Sequence, residues 1–138
     1  MSSHIEPFAP ALAAEPMVAS LGAVAERLAA DAGVTRENVL GLSVNLQAIV
    51  DREAGTVFAY PATPGWSSVW DDLPLRDLLE RQLPWRPVVV EDTVRALGTA
   101  ESQLGGRELT EDFVFAIADV GIGASLVMGG PPRGSVAA

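Results

Sequence analysis

Two neighbouring stretches decide how this chain folds. The first is Leu83-Pro-Trp-Arg-Pro-Val-Val-Val-Glu-Asp-Thr-Val-Arg-Ala-Leu-Gly-Thr-Ala-Glu101. The second is Phe113-Val-Phe-Ala-Ile-Ala-Asp-Val-Gly-Ile-Gly-Ala-Ser-Leu-Val-Met-Gly-Gly130. In the first, Pro87 to Val90 is a short β-branched strand and Asp92 to Leu104 a helix stopped by Gly105-Gly106. In the second, Asp112 to Ala118 is a strand, Val120-Gly-Ile-Gly123 a turn, and Ala124 to Met128 a further strand. A buried strand that delivers polar residues to the mouth of a helix is one arrangement for holding polar ligands. Free backbone N–H groups and the positive dipole end meet there. Asp92 or Thr93 is equally an ordinary N-cap, and local sequence alone leaves both readings open.

Working outward, Met17 to Ala32 has apolar residues Met17, Leu21, Val24 and Leu28 at helical spacing, with Gly33 placed as a C-cap. Asn38 to Leu46 predicts a buried strand, and Ile49 to Tyr60 a hairpin turning at Asp51-Arg-Glu-Ala-Gly55. Pro61 to Asp72 is a loop. Leu73 to Leu83 is a helix with Pro74 in its first turn, where the missing N–H removes no bond. Met1 to Pro16 reads as an irregular lead-in and Gly129 to Ala138 as a Gly/Pro/Ala tail. Strands alternating with helices predict an α/β fold.

Composition narrows the function classes. The chain has 138 residues, room for one domain, and is 49% hydrophobic, too apolar for a disordered segment. Its net charge is −9, and all nine basic residues are arginine. An acidic chain without a basic cluster repels phosphate backbones, so direct binding to nucleic acid is not expected. There is no cysteine, hence no disulfide and no thiolate metal site. The single histidine, His4, lies in the lead-in and cannot build a zinc site alone. No apolar run is long enough for a membrane span and no signal peptide opens the chain, so a cytoplasmic protein is the expectation.

Four segments in order resemble the ROK family, the bacterial sugar kinases and sugar-responsive repressors. Val88-Val-Val-Glu-Asp-Thr93, with Glu101 closing its helix, is similar to the family's Glu-Asn-Asp-Ala-Asn segment. There the Asn and Asp contact the sugar and the Asp takes the proton from the sugar hydroxyl. The family Asn falls on Asp92 and the catalytic Asp on Thr93. A threonine hydroxyl lacks the basicity for that step. Ala118-Asp-Val-Gly-Ile-Gly-Ala-Ser125 is similar to the Gly-Thr-Gly-Ile-Gly phosphate loop. Gly121 and Gly123 match its last two glycines, while its first glycine and threonine fall on Asp119 and Val120. Without the resemblance, a plain hairpin accounts for this Gly-x-Gly equally well.

Tyr60-Pro-Ala-Thr-Pro-Gly-Trp66, leading into Leu73-Pro-Leu75, is similar to the family's Pro-Asn-Leu-Pro-Gly-Trp and Val-Pro-Leu helix. The sugar-holding asparagine is Ala62 here. Trp66 is either a face for a sugar to stack on or an anchor of the core. Leu40 to Asp51 matches a strand that ends in Pro-Gly in the family and in Gln47-Ala48 here. The family's Asp-x-Gly-Gly-Thr hairpin, its Gly-Glu-x-Gly-His and Cys-x-Cys motifs and the repressors' winged helix fall outside these matches.

The resemblance implies a partial ribonuclease-H-like (actin-like, sugar-kinase) fold with a mixed sheet and flanking helices. Residues 1–15 would be the lead-in, 16–91 the second half of an N-terminal lobe and 92–138 the start of a C-terminal lobe. It further implies a truncated, catalytically inactive, regulator-like protein with part of a sugar-binding effector domain. The expected ligand is a monosaccharide or sugar phosphate, with no cofactor and no metal. The sugar-binding candidates are Trp66, Asp92 and Thr93, and Gly121 and Gly123 are a vestigial phosphate loop. Gln47 and Ala62 should lie near the same cleft. Two alternatives are an active sugar kinase and a non-ligand interaction module that self-associates or pairs with a full-length relative.

Overall fold

A computed structural model describes residues 3, 13–59, 70–105, 112–118, 122–129 and 133–137. Helix α1 spans Ala14–Asp31. It starts three residues earlier than the apolar spacing predicts, because Pro16 sits in the first turn, where no intrahelical N–H is needed. The first helical bond runs from Met17 N to Ala13 O. The helix ends as predicted. Gly33 takes φ +64°, Gly33 N donates to Ala30 O and Val34 N donates to Ala29 O, which together form a Schellman cap.

Strand β1 is Leu42–Leu46, shorter than the predicted Asn38 to Leu46. Residues Arg36–Asn38 form a 3₁₀ turn instead. The reason lies in the partner strand. β1 pairs in parallel with β4, Val88–Asp92, in the register Leu42↔Val88 to Leu46↔Asp92. Extending that ladder backward would set Gly41 and Asn38 opposite Pro87 and Pro84, neither of which has an N–H to give. At the other end β4 runs two residues beyond the predicted Val90, since β1 continues to supply partners.

The hairpin forms where expected, from β2 (Ile49–Asp51) and β3 (Thr56–Ala59). Asp51 Oδ1 accepts from the backbone N–H groups of Glu53 and Ala54, and Gly55 takes φ +69° to close the turn. A reciprocal backbone pair between Val57 and Leu73 ties β3 to the start of helix α2, Leu75–Gln82, for which Pro74 is the N-cap residue. Met17 and Val18 of α1, Val44 of β1, Val50, Val57, Leu75 and Leu79 of α2, and Val88 and Val90 of β4 share one buried core with Trp70.

Helix α3, Thr93–Leu104, begins directly at the end of β4. It covers one face of a three-stranded antiparallel sheet in the order β5 (Phe113–Ala118), β6 (Ile122–Val127), β7 (Arg133–Ala137). Strand β7 overturns the reading of residues 129–138 as a plain tail. A short edge strand tolerates the Gly134 and polar residues that hide it from pattern recognition, and β6 supplies the ladder. β6 also starts two residues earlier than predicted, so Gly123 lies within a strand rather than in a turn.

Small residues set the approach of α3 to this sheet. A Cβ on Gly98 would strike Ser125 Oγ, and one on Gly123 would strike Val94 Cγ2. Ser125 is buried, and its hydroxyl donates to Val94 O at 3.2 Å. Replacing Gly98 with valine should therefore lower stability by about 1–3 kcal/mol, the usual cost of overpacking. Replacing the fully buried Leu79 with alanine should cost about 2–5 kcal/mol by leaving a cavity. Denaturant titration of each variant against the parent checks both.

Candidate functional site

Parallel strands deliver their carboxyl ends to the same side, and crevices for ligands form there. Here β1 and β4 end together at Leu46 and Asp92, Gln47 follows at once, and α3 starts at Thr93. Gln47 is exposed and Thr93 half-buried, so both can be reached from solvent. Gln47, Asp92 and Thr93 are thus brought together by the β1–β4 register.

Asp92 is buried and already engaged. Its Oδ1 accepts from Val94 N at 2.7 Å and from Arg95 N at 3.0 Å, capping α3. Of the two readings open at this position, the capping one describes the geometry. The arrangement fixes where the carboxylate points, toward the helix's own first turn. Thr93, one residue on, occupies the first helical position with a neutral hydroxyl.

A second group at the mouth went unnoticed in the sequence reading. The Glu91 side chain is only 10% exposed and receives two guanidinium groups. Arg52 Nε, from the β2–β3 turn, stands 3.4 Å from Oε2, and Arg95 Nε stands 3.6 Å from Oε1. Oε1 also accepts the Asp92 backbone N–H at 3.0 Å. The Glu91–Arg95 half was legible as an i,i+4 pair. The Arg52 half depends on the hairpin folding back against β4, which no local pattern reveals. Asn45, exposed and in register with Glu91, adds an amide on the same strand pair. Arg52 and Arg95 balance Glu91 and Asp92 in formal charge, so these four groups together carry no net charge.

Gly123 is not at this mouth's surface. It is buried in β6 against Val94, and packing alone accounts for its missing Cβ. Trp66, Ala62, Gly121 and His4 lie outside the described residues, as do Asp119 and Val120. Among the described residues, no group of three or more His, Cys, Asp or Glu side chains could hold a metal ion, and no helix is long and apolar enough to cross a membrane.

Comparison with known proteins places this geometry. The model of the ROK family matches residues 12–136. A protein of Caldicellulosiruptor sp. (strain Rt8B.4), provisionally named a xylose repressor, is 27% identical over 115 residues, which is 83% of this chain and 27% of that protein. A ROK family glucokinase from Streptomyces griseus, solved with glucose and AMPPNP, superposes with a TM-score of 0.71 at 24% identity. The match covers 88% of this chain and 35% of the glucokinase. The ROK hexokinase from Thermus thermophilus gives a TM-score of 0.65 at 28% identity, over 92% of this chain and 39% of the hexokinase.

The fold is thus of the actin-like, ribonuclease-H-like class that sugar kinases use. Within that class, the chain belongs to the ROK family. It spans about a quarter of the length of the curated relative and little more than a third of each enzyme.

The cap makes a direct prediction. Asp92→Ala should destabilise the chain by about 0.5–2 kcal/mol, while Asp92→Asn, which keeps the acceptor oxygen, should lose much less. Thermal melts of the two variants side by side decide it.

Proposed function

We propose that this chain is the sugar-sensing part of a ROK regulator and does not phosphorylate sugar. The observation that carries this reading is the pairing of Asp92 and Thr93. The carboxylate is buried in a helix cap, and the residue one step later, where the family's base belongs, is a threonine. Phosphoryl transfer needs a group that accepts the substrate hydroxyl proton. Thr93 cannot accept it, and Asp92 could reach that position only by abandoning two hydrogen bonds.

Binding asks less of the site than catalysis does. Neutral polar ligands are held by amides, hydroxyls and charge-assisted hydrogen bonds. The mouth offers Gln47, Asn45 and Thr93 beside the Glu91 cluster, with no net charge among its four ionised groups to select an ion. A neutral monosaccharide therefore fits better than a sugar phosphate. On this reading residues 16–91 are the second half of an N-terminal lobe and residues 92–138 the start of a C-terminal lobe. Because this chain has no basic cluster, any contact with DNA belongs to other segments or partners. The cytoplasm, where a sugar-responsive regulator acts, is its proposed compartment.

A ligand that binds only the native state raises the melting midpoint. Melts with xylose, glucose, N-acetylmannosamine and their phosphates should show one neutral sugar raising the midpoint, with Gln47→Ala abolishing the shift. An ATP-consumption assay with the same sugars should stay at background. Sugar-dependent ATP turnover, or no shift with any of them, would overturn the proposal.

A further inference from the structure

The β2–β3 hairpin meets the mouth twice. Gln47 and the buried Ala48 join the end of β1 to the start of β2, so the root of the hairpin carries one of the mouth's amides. β2 then leads directly to Arg52 in the turn, whose Nε stands 3.4 Å from Glu91 Oε2. Glu91 Oε1 accepts the N–H of Asp92, and the Asp92 carboxylate caps α3.

On its other side the same turn is held by α2. Arg76 Nη1 donates to Glu53 O at 2.8 Å, and Arg76 N donates to Gly55 O at 3.0 Å. Gly55 lies so close to this helix that a Cβ on it would strike Arg76 Cβ. The turn is also bonded within itself. Asp51 Oδ1 accepts from Glu53 N and Ala54 N, and Gly55 N donates to Asp51 O. A turn closed in this way and gripped from outside holds its side chains in one orientation, the condition for a supporting shell around a site.

We propose that Arg76 is a positioning residue for the mouth. Through the Asp51–Gly55 turn and Arg52 it fixes Glu91, and with Glu91 the Asp92 N–H. The Arg52–Glu91 pair contributes little energy, because Arg52 is well exposed and water screens it. What it supplies is direction. Glu91 is flanked by guanidinium groups on two sides, Arg52 at Oε2 and Arg95 at Oε1. Once Arg52 is no longer held, the carboxylate is free to rotate toward Arg95 and away from the Asp92 N–H. The effect on a ligand rests on the sugar-binding reading of this mouth, whereas the effect on the Asp92 amide does not.

Amide hydrogen exchange and sugar titration, both followed by NMR on the full chain, test this in Arg76→Ala, Arg52→Ala and the double variant. Arg81→Ala, in the last turn of the same helix, is the control. Arg76→Ala and Arg52→Ala should each speed exchange at the Asp92 amide while leaving the β5–β6 amides as in the parent. The double variant should go no further than the stronger single one, because one broken link breaks the series. Each single variant should weaken binding of the sugar that the parent takes roughly two- to tenfold, and Arg81→Ala should change neither readout. If Arg76→Ala proves unfolded, Arg76→Met, which keeps the stem and the backbone bond but not the donor, takes its place. Unchanged exchange at Asp92 overturns the proposal, as does faster exchange spread evenly over the chain, which is loss of stability alone. Additive effects of the two substitutions overturn it too, and so does unchanged sugar affinity beside a freed Asp92 amide. If the parent binds no sugar, the sugar-binding reading fails, and exchange at Asp92 decides the positioning role by itself.

Discussion

The Asp92 carboxylate joins the two halves of this structure. Its residue is the last of the parallel β1–β4 ladder, at Leu46↔Asp92, and one of its oxygens caps the first turn of α3. Helix α3, which packs on β5, β6 and β7, starts from that turn. A buried carboxylate is costly unless hydrogen-bonded, and two charge-assisted bonds to backbone N–H groups at a positive helix end meet that condition. The same bonds give the residue a structural duty at the start of α3.

Around that point, small and charged residues set how closely the elements approach one another. Gly98 and Gly123 let α3 lie directly on β5 and β6. Glu91 gathers Arg52 and Arg95 from two separate elements, so the hairpin, the strand and the helix are held at one place. Pairs of this kind add little where Arg52 is well exposed, since water screens them. Their contribution is orientation, because Glu91 also accepts the Asp92 backbone N–H and so fixes the strand end from which the cap projects.

Most helices and strands were legible from sequence because each has a local cause. Gly33 and Gly55 mark a helix end and a turn that require positive φ, and both adopt it. Pro74 marks the start of α2. What was not legible came from pairing between distant segments. The start of β1 is set by prolines more than forty residues away, β7 exists because β6 has an edge to fill, and Arg52 reaches Glu91 only through the folded hairpin. At the mouth, the sequence placed Gln47, Asp92 and Thr93 close to one another, and the register brings them together. Gly123, expected in a turn, lies instead within β6, where a Cβ would strike Val94 Cγ2.

On the proposed reading, the mouth formed by β1, β4 and α3 binds a neutral sugar with a threonine at position 93. An NMR titration of the isotope-labelled chain with the neutral sugars tests this residue by residue. Saturable shifts are expected for one sugar, concentrated at the amides of Asn45, Gln47 and Asp92 to Arg95. Shifts centred elsewhere, or none at millimolar sugar, would contradict it.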